Sequence, residues 1–80
     1  MDLSNQNISL FWTNGKLKFI QFYCCYRSGS IAVIDCDKKI LDLTSTKSEK
    51  IRKIQEKLQA QYTKENIKSL IASIESAYWF

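Results

Sequence analysis

The chain has no histidine and no proline, and among its 80 residues only two glycines, one methionine and two arginines. Each shortage removes a class of chemistry. Without histidine there is no Ser–His or Cys–His nucleophile pair. The three cysteines, Cys24, Cys25 and Cys36, form no C-x-x-C motif and have no imidazole to complete a zinc site. They read as thiols of a reducing compartment. With so few glycines the chain contains neither G-x-x-x-x-G-K-[ST] nor G-x-G-x-x-G, the loops that cradle phosphates. No apolar run approaches the roughly 20 residues needed to span a bilayer. Met1 to Asn7 is polar and carries Asp2, unlike a secretory leader. The expectation is a cytoplasmic, non-catalytic protein with no metal and no cofactor, and with no membrane partner.

What is present is ordinary globular material: 45% hydrophobic and 25% charged residues, with a net charge of +4. A chain this short buries only roughly 60% of its unfolded surface, which leaves little room for a catalytic cleft. It reads as one α+β domain over residues 1–80, a β-meander over 1–45 and a helical half over 46–80. The expected order is ββββαα. Lysine and isoleucine each occur ten times, usage that points to an AT-rich genome such as that of a phage, a mobile element or a low-GC bacterium.

Both glycines fall where hairpins need them. Asn14-Gly15 is a type I′ turn signal. A two-residue loop there pairs Trp12 with Leu17 on the face expected to be buried, and continues with Phe11 opposite Lys18 and Leu10 opposite Phe19. The second strand, Lys16 to Arg27, then changes phase. Leu17 and Phe19 point inward, but beyond Ile20 the inward set is Phe22, Cys24 and Tyr26, so a β-bulge is expected near Ile20. A three-residue loop at Ser28-Gly29-Ser30 pairs Cys24 with Ile34 and Phe22 with Cys36, and keeps Asp35 outside. A turn at Asp37-Lys38-Lys39 leads to a short fourth strand, Ile40 to Leu43. In that register Asp35 opposes Asp42, an unfavourable pair.

Thr46-Lys47-Ser48-Glu49 fits a capping box. It opens a helix whose apolar stripe is Ile51, Ile54, Leu58 and Tyr62. Thr63 is placed to cap a second helix with the stripe Ile67, Leu70, Ile71, Ile74 and Tyr78. At 100° per residue the two stripes lie nearly opposite each other on one continuous helix. A break or sharp kink is therefore expected between Gln61 and Asn66. A long helix bridging two subunits is the alternative. The opposed stripes also allow one helix on each side of the sheet.

Three features carry candidate functions. The outer sheet face is expected to show Phe11, Tyr23, Cys25, Ile31 and Val33, edged by Lys16, Lys18 and Arg27: an apolar centre with a charged rim, the composition of a protein interface. Either a helix covers this face or a partner does. The aromatic end, Tyr78-Trp79-Phe80, either anchors the second helix or presents side chains to a partner. Finally, Lys50, Lys53 and Lys57 form one stripe on the first helix, which can neutralise phosphates or simply remain solvated. Asp35, Asp37 and Asp42 lie among lysines and read as turn residues. The leading expectation is a small regulatory or inhibitory adaptor that binds another protein and forms a homodimer. The alternative is a basic nucleic-acid-binding module.

Overall fold

The computed structural model describes residues 7–23 and 29–78. Four antiparallel strands form a meander: β1 (Asn7–Thr13), β2 (Lys16–Tyr23), β3 (Ser30–Asp35) and β4 (Ile40–Leu43). Two helices follow, α1 (Glu49–Gln61) and α2 (Lys64–Ala77). The ββββαα order is that expected from the sequence.

The first hairpin turns on Asn14 (φ 52°) and Gly15 (φ 78°), the positive pair that type I′ demands. Thr13 pairs with Lys16 and Trp12 with Leu17, as the turn dictates. Trp12 shares the helix-bearing face with the buried Leu17, but it is not itself buried: it keeps 40% of its surface exposed.

The bulge exists, but it lies two residues earlier than expected. The register jumps from Trp12–Leu17 to Phe11–Phe19, which leaves Lys18 as the extra residue. Its carbonyl is not wasted, since Cys36 donates its amide to it at 3.0 Å. The jump flips the strand at once. Leu17, Ile20 and Phe22 are buried, and Phe19 turns to the outer face. The early flip moves a lysine out of the ladder and places Ile20 in the core instead of Phe19.

The register of β2 against β3 differs from the expected pairing of Phe22 with Cys36 and Cys24 with Ile34. Ile20 pairs with Ile34, Phe22 with Ala32 and Tyr23 with Ser30. The step from Phe22–Ala32 to Tyr23–Ser30 leaves Ile31 without an opposite residue, so Ile31 turns inward and is buried at 4% exposure. It belongs to the core, not to the outer face. The β3–β4 register also differs from the expected one and separates the two aspartates. Asp35 faces Ile40, and Asp42 faces Val33. Cys24, Cys25, Tyr26 and Arg27, together with Trp79 and Phe80, lie outside the described residues.

Ser48, not Thr46, caps α1: its hydroxyl accepts from the Ile51 amide at 3.3 Å. The Thr46 hydroxyl accepts from the Ser48 amide at 3.1 Å and so braces the cap from outside the helix. Thr63 caps α2 as expected, accepting from the Asn66 amide at 3.3 Å. Between the helices Tyr62 (φ −103°, ψ 69°) and Thr63 (φ −70°, ψ 165°) leave the helical region and break the rod. The Asn66 side-chain amide donates to the Gln61 carbonyl across the break. Re-aimed in this way, both stripes dock on one face. Leu58, Tyr62, Ile67 and Ile71 join Leu17, Ile20, Phe22, Ile31, Ala32, Ile34 and Cys36 in a single core. The helices do not sandwich the sheet.

Gln55 is the buried polar residue of this core. Its side-chain amide donates to the carbonyls of Ile31 (2.9 Å) and Thr44 (2.7 Å). It thereby ties α1 to the bulged start of β3 and to the chain leaving β4. Among the described residues no helix is long and apolar enough to cross a membrane.

Candidate protein-interaction surface

With both helices on one side, the outer face of the sheet is left without helical cover among the described residues. Its cross-strand rows follow from the register. One row is Phe11, Phe19, Asp35 and Ile40; the next is Ser9, Gln21, Val33 and Asp42. Phe11 is 45% exposed and Ile40 48% exposed, while Phe19, Tyr23 and Val33 are half-buried by their neighbours. The Tyr23 hydroxyl donates to the Gln21 side-chain carbonyl on the same strand, which holds the ring along the face.

Charged residues edge this patch. The Lys18 ammonium lies 6.0 Å from the Phe19 ring centroid and pairs with Asp37 across the strands. Hydrogen bonding to Asp37 holds the Lys18 pKa above its ordinary value, and the same bond holds the Asp37 carboxyl below its own. Both groups are exposed, so the pair adds little to stability. Asp35 accepts from the amides of Asp37 (3.0 Å) and Lys38 (3.2 Å), and its carbonyl takes the Lys39 amide at 2.7 Å. These contacts let Lys39 adopt φ 58°. Asp35 and Asp37 thus serve the turn, and no group of three metal-ligating side chains occurs among the described residues.

Of the residues expected on the outer face, the structure places Phe11, Tyr23 and Val33 there, and Ile31 in the core. Phe19 and Ile40 join the patch without having been expected. Alternation alone could have found Ile40, whose exposed side is fixed by Leu41 packing inward.

The lysine stripe is real: Lys50, Lys53 and Lys57 are all exposed on α1. Beside it, Arg52 and Lys53 share a shallow groove with Glu49 and Glu56, so carboxylates flank the basic row.

A cleft of about 420 Å³ opens between the first hairpin, the β3–β4 turn and the end of α2, lined among others by Trp12, Lys16, Cys36, Glu75 and Tyr78. Tyr78 caps α2, is 57% exposed and meets Trp12 edge-on, with ring centroids 5.8 Å apart. It therefore continues its stripe as a rim contact, not as core. The Cys36 thiol is pushed up to about 11, first by burial and then by the nearby carboxylates of Glu75, Asp35 and Asp37. A thiol held protonated is a poor nucleophile. Glu75 itself accepts from the Leu17 amide at 3.1 Å. β3 has ended by that level, so the helix supplies the acceptor that a strand would otherwise give.

No family model, no curated protein and no solved structure matches this chain.

Proposed function

We propose that this chain is a small, non-catalytic regulatory or inhibitory adaptor of the cytoplasm that acts by binding another protein through the outer face of its sheet. The observation that supports this most is the placement of both helices on one face. The opposite face keeps the cross-strand pair Phe11–Phe19 together with Tyr23, Val33 and Ile40, interspersed with Gln21, Asp35 and Asp42 and edged by Lys18. Aromatic and aliphatic side chains set among polar ones are what non-obligate protein interfaces use. The buried Cys36 thiol suits a reducing compartment.

The test is capture from cell extract with mass spectrometry, after nuclease treatment and across a salt series. Capture that survives both, that Phe11→Ser with Ile40→Ser removes, and that Lys50→Glu with Lys53→Glu and Lys57→Glu leaves intact supports the adaptor. The second reading is a nucleic-acid-binding module, favoured by the exposure of the three stripe lysines on one helix. It predicts the reverse pattern: loss with nuclease, steep loss with salt, and loss in the lysine variant.

A further inference from the structure

We propose that two copies of this chain join through the outer edges of their β1 strands, forming one continuous antiparallel sheet across a two-fold axis. The two edges of the sheet differ in kind. β4 is four residues long, carries Asp42 and follows Lys38 and Lys39. Shortness and charge are the usual guards of an edge strand. β1 has neither guard. Its seven residues, Asn7-Ile8-Ser9-Leu10-Phe11-Trp12-Thr13, contain no charge and no proline. The bulge that distorts this hairpin lies on β2, at Lys18, and so leaves β1 regular. Among the described residues nothing pairs with its outer edge.

The register of the pairing follows from geometry. A two-fold axis that keeps the faces continuous must pair residues of the same face. Centring it on Leu10 uses the full strand: Ser9 lies opposite Phe11 of the second copy, Ile8 opposite Trp12, and Asn7 opposite Thr13. Other same-face centres leave residues unpaired. This register sets Trp12 against Ile8 on the helix-bearing face and Phe11 against Ser9 on the other. Trp12 and Phe11 are two of the large apolar residues still exposed in the single chain.

Charge selects the same edge. β1 is the edge strand with no charge of its own to set against a second copy. The equivalent pairing of β4 brings Asp42 against Asp42 or against Ile40 of the second copy. The dimer therefore closes: its four-plus-four-stranded sheet ends in β4 on both sides, and no further copy adds. A seven-residue strand spans about 24 Å. The junction is smaller than the roughly 800 Å² per partner of a standard interface, which places the association in the weak range.

Sedimentation of the full chain between about 1 μM and 1 mM, a range that brackets weak association, reads the prediction. The wild type should pass from monomer to dimer and stop there. Ser9→Lys with Phe11→Lys puts two ammonium pairs face to face across the junction and should leave only monomer, with unchanged circular dichroism. Ser9→Lys with Phe11→Glu converts the same positions into two attractive pairs and should restore the dimer, but only in the register centred on Leu10. Ile40→Ser, on the far edge strand, should leave dimerisation unaltered. A wild type that stays monomeric throughout overturns the proposal. So does a dimer that survives the double lysine variant, is lost with Ile40→Ser, or fails to return with the charge-paired variant.

Discussion

Gln55 is the position where a single atom can be tested. The residue is 5% exposed, and its side-chain amide donates to two carbonyls, those of Ile31 and Thr44. Gln55→Met keeps the length and volume and removes both donors. Two hydrogen bonds at about 0.5–1.5 kcal/mol each put the cost at about 1–3 kcal/mol. For a domain of this size that lowers Tm by about 4–8 °C per kcal/mol. Gln55→Glu is the sharper probe. The carboxyl then faces two carbonyl oxygens, and it can satisfy only one of them, and only while protonated. Burial and both carbonyl dipoles raise its folded pKa above the unfolded value of about 4.3. With a raised folded pKa, the stabilisation is complete below about pH 4.3 and is lost as pH rises toward the folded value. At about 1.36 kcal/mol per pH unit, the loss by pH 7 reaches up to about 4 kcal/mol. Urea unfolding followed by circular dichroism at pH 4 and pH 7 measures it. The Glu variant should be markedly more stable at the lower pH. The wild type carries no such dependence from this site, and its Asp37, with a lowered pKa, works in the opposite direction. A Glu variant that matches the Met variant at both pH values would refute the donor role of Gln55.

Four further outcomes follow from the structure. Ile20→Ala should cost about 2–5 kcal/mol and Phe19→Ala clearly less, because the bulge at Lys18 buries the first and half-exposes the second; equal losses in thermal unfolding would place the bulge elsewhere. Gly15→Val should destabilise the hairpin by at least about 1–2 kcal/mol, while Gly15→Asn should cost less, because no atom lies within 4 Å of the added Cβ and only the positive φ of 78° opposes it. Glu75→Ala should cost about 1.5–3 kcal/mol by orphaning the Leu17 amide, with Glu75→Gln recovering most of it in urea unfolding. Burial raises Tyr62 from 10.0 to about 12 and Cys36 from 9.0 to about 11, so both stabilise the fold fully below those ordinary values and lose that stabilisation as pH climbs through the raised ones. An alkaline unfolding series should therefore show stability falling from about pH 9 upward, with the upper limb absent in Tyr62→Phe.

Much of this fold is legible in the sequence because its signals are local. Asn14-Gly15 can hold two positive φ values wherever it stands, so the first turn and its nearest pairs, Trp12–Leu17 and Thr13–Lys16, follow from two residues. Thr63 caps α2 with its own hydroxyl, and the opposed apolar stripes require a break near it whatever the rest of the chain does. What the tertiary structure decided lies farther apart in the chain. A bulge at Lys18 and a bulge near Ile20 both repair the phase of β2, and alternation does not distinguish them. The choice went to the one that seats Ile20 beneath the helices and leaves Lys18 at the exposed surface beside Asp37. Sliding β2 against β3 by an even step preserves which faces are apolar, so alternation does not single out the pairing of Ile20 with Ile34 or the inward turn of Ile31, whose carbonyl takes a long-range bond from Gln55 on α1. Whether the helices would flank the sheet or share one face was likewise open to periodicity, which sets the direction of each stripe relative to its own helix axis. Only the angle of the break at Tyr62 and Thr63 turned both stripes onto Leu17, Phe22 and Ile34 and left the other face of the sheet without helical cover among the described residues.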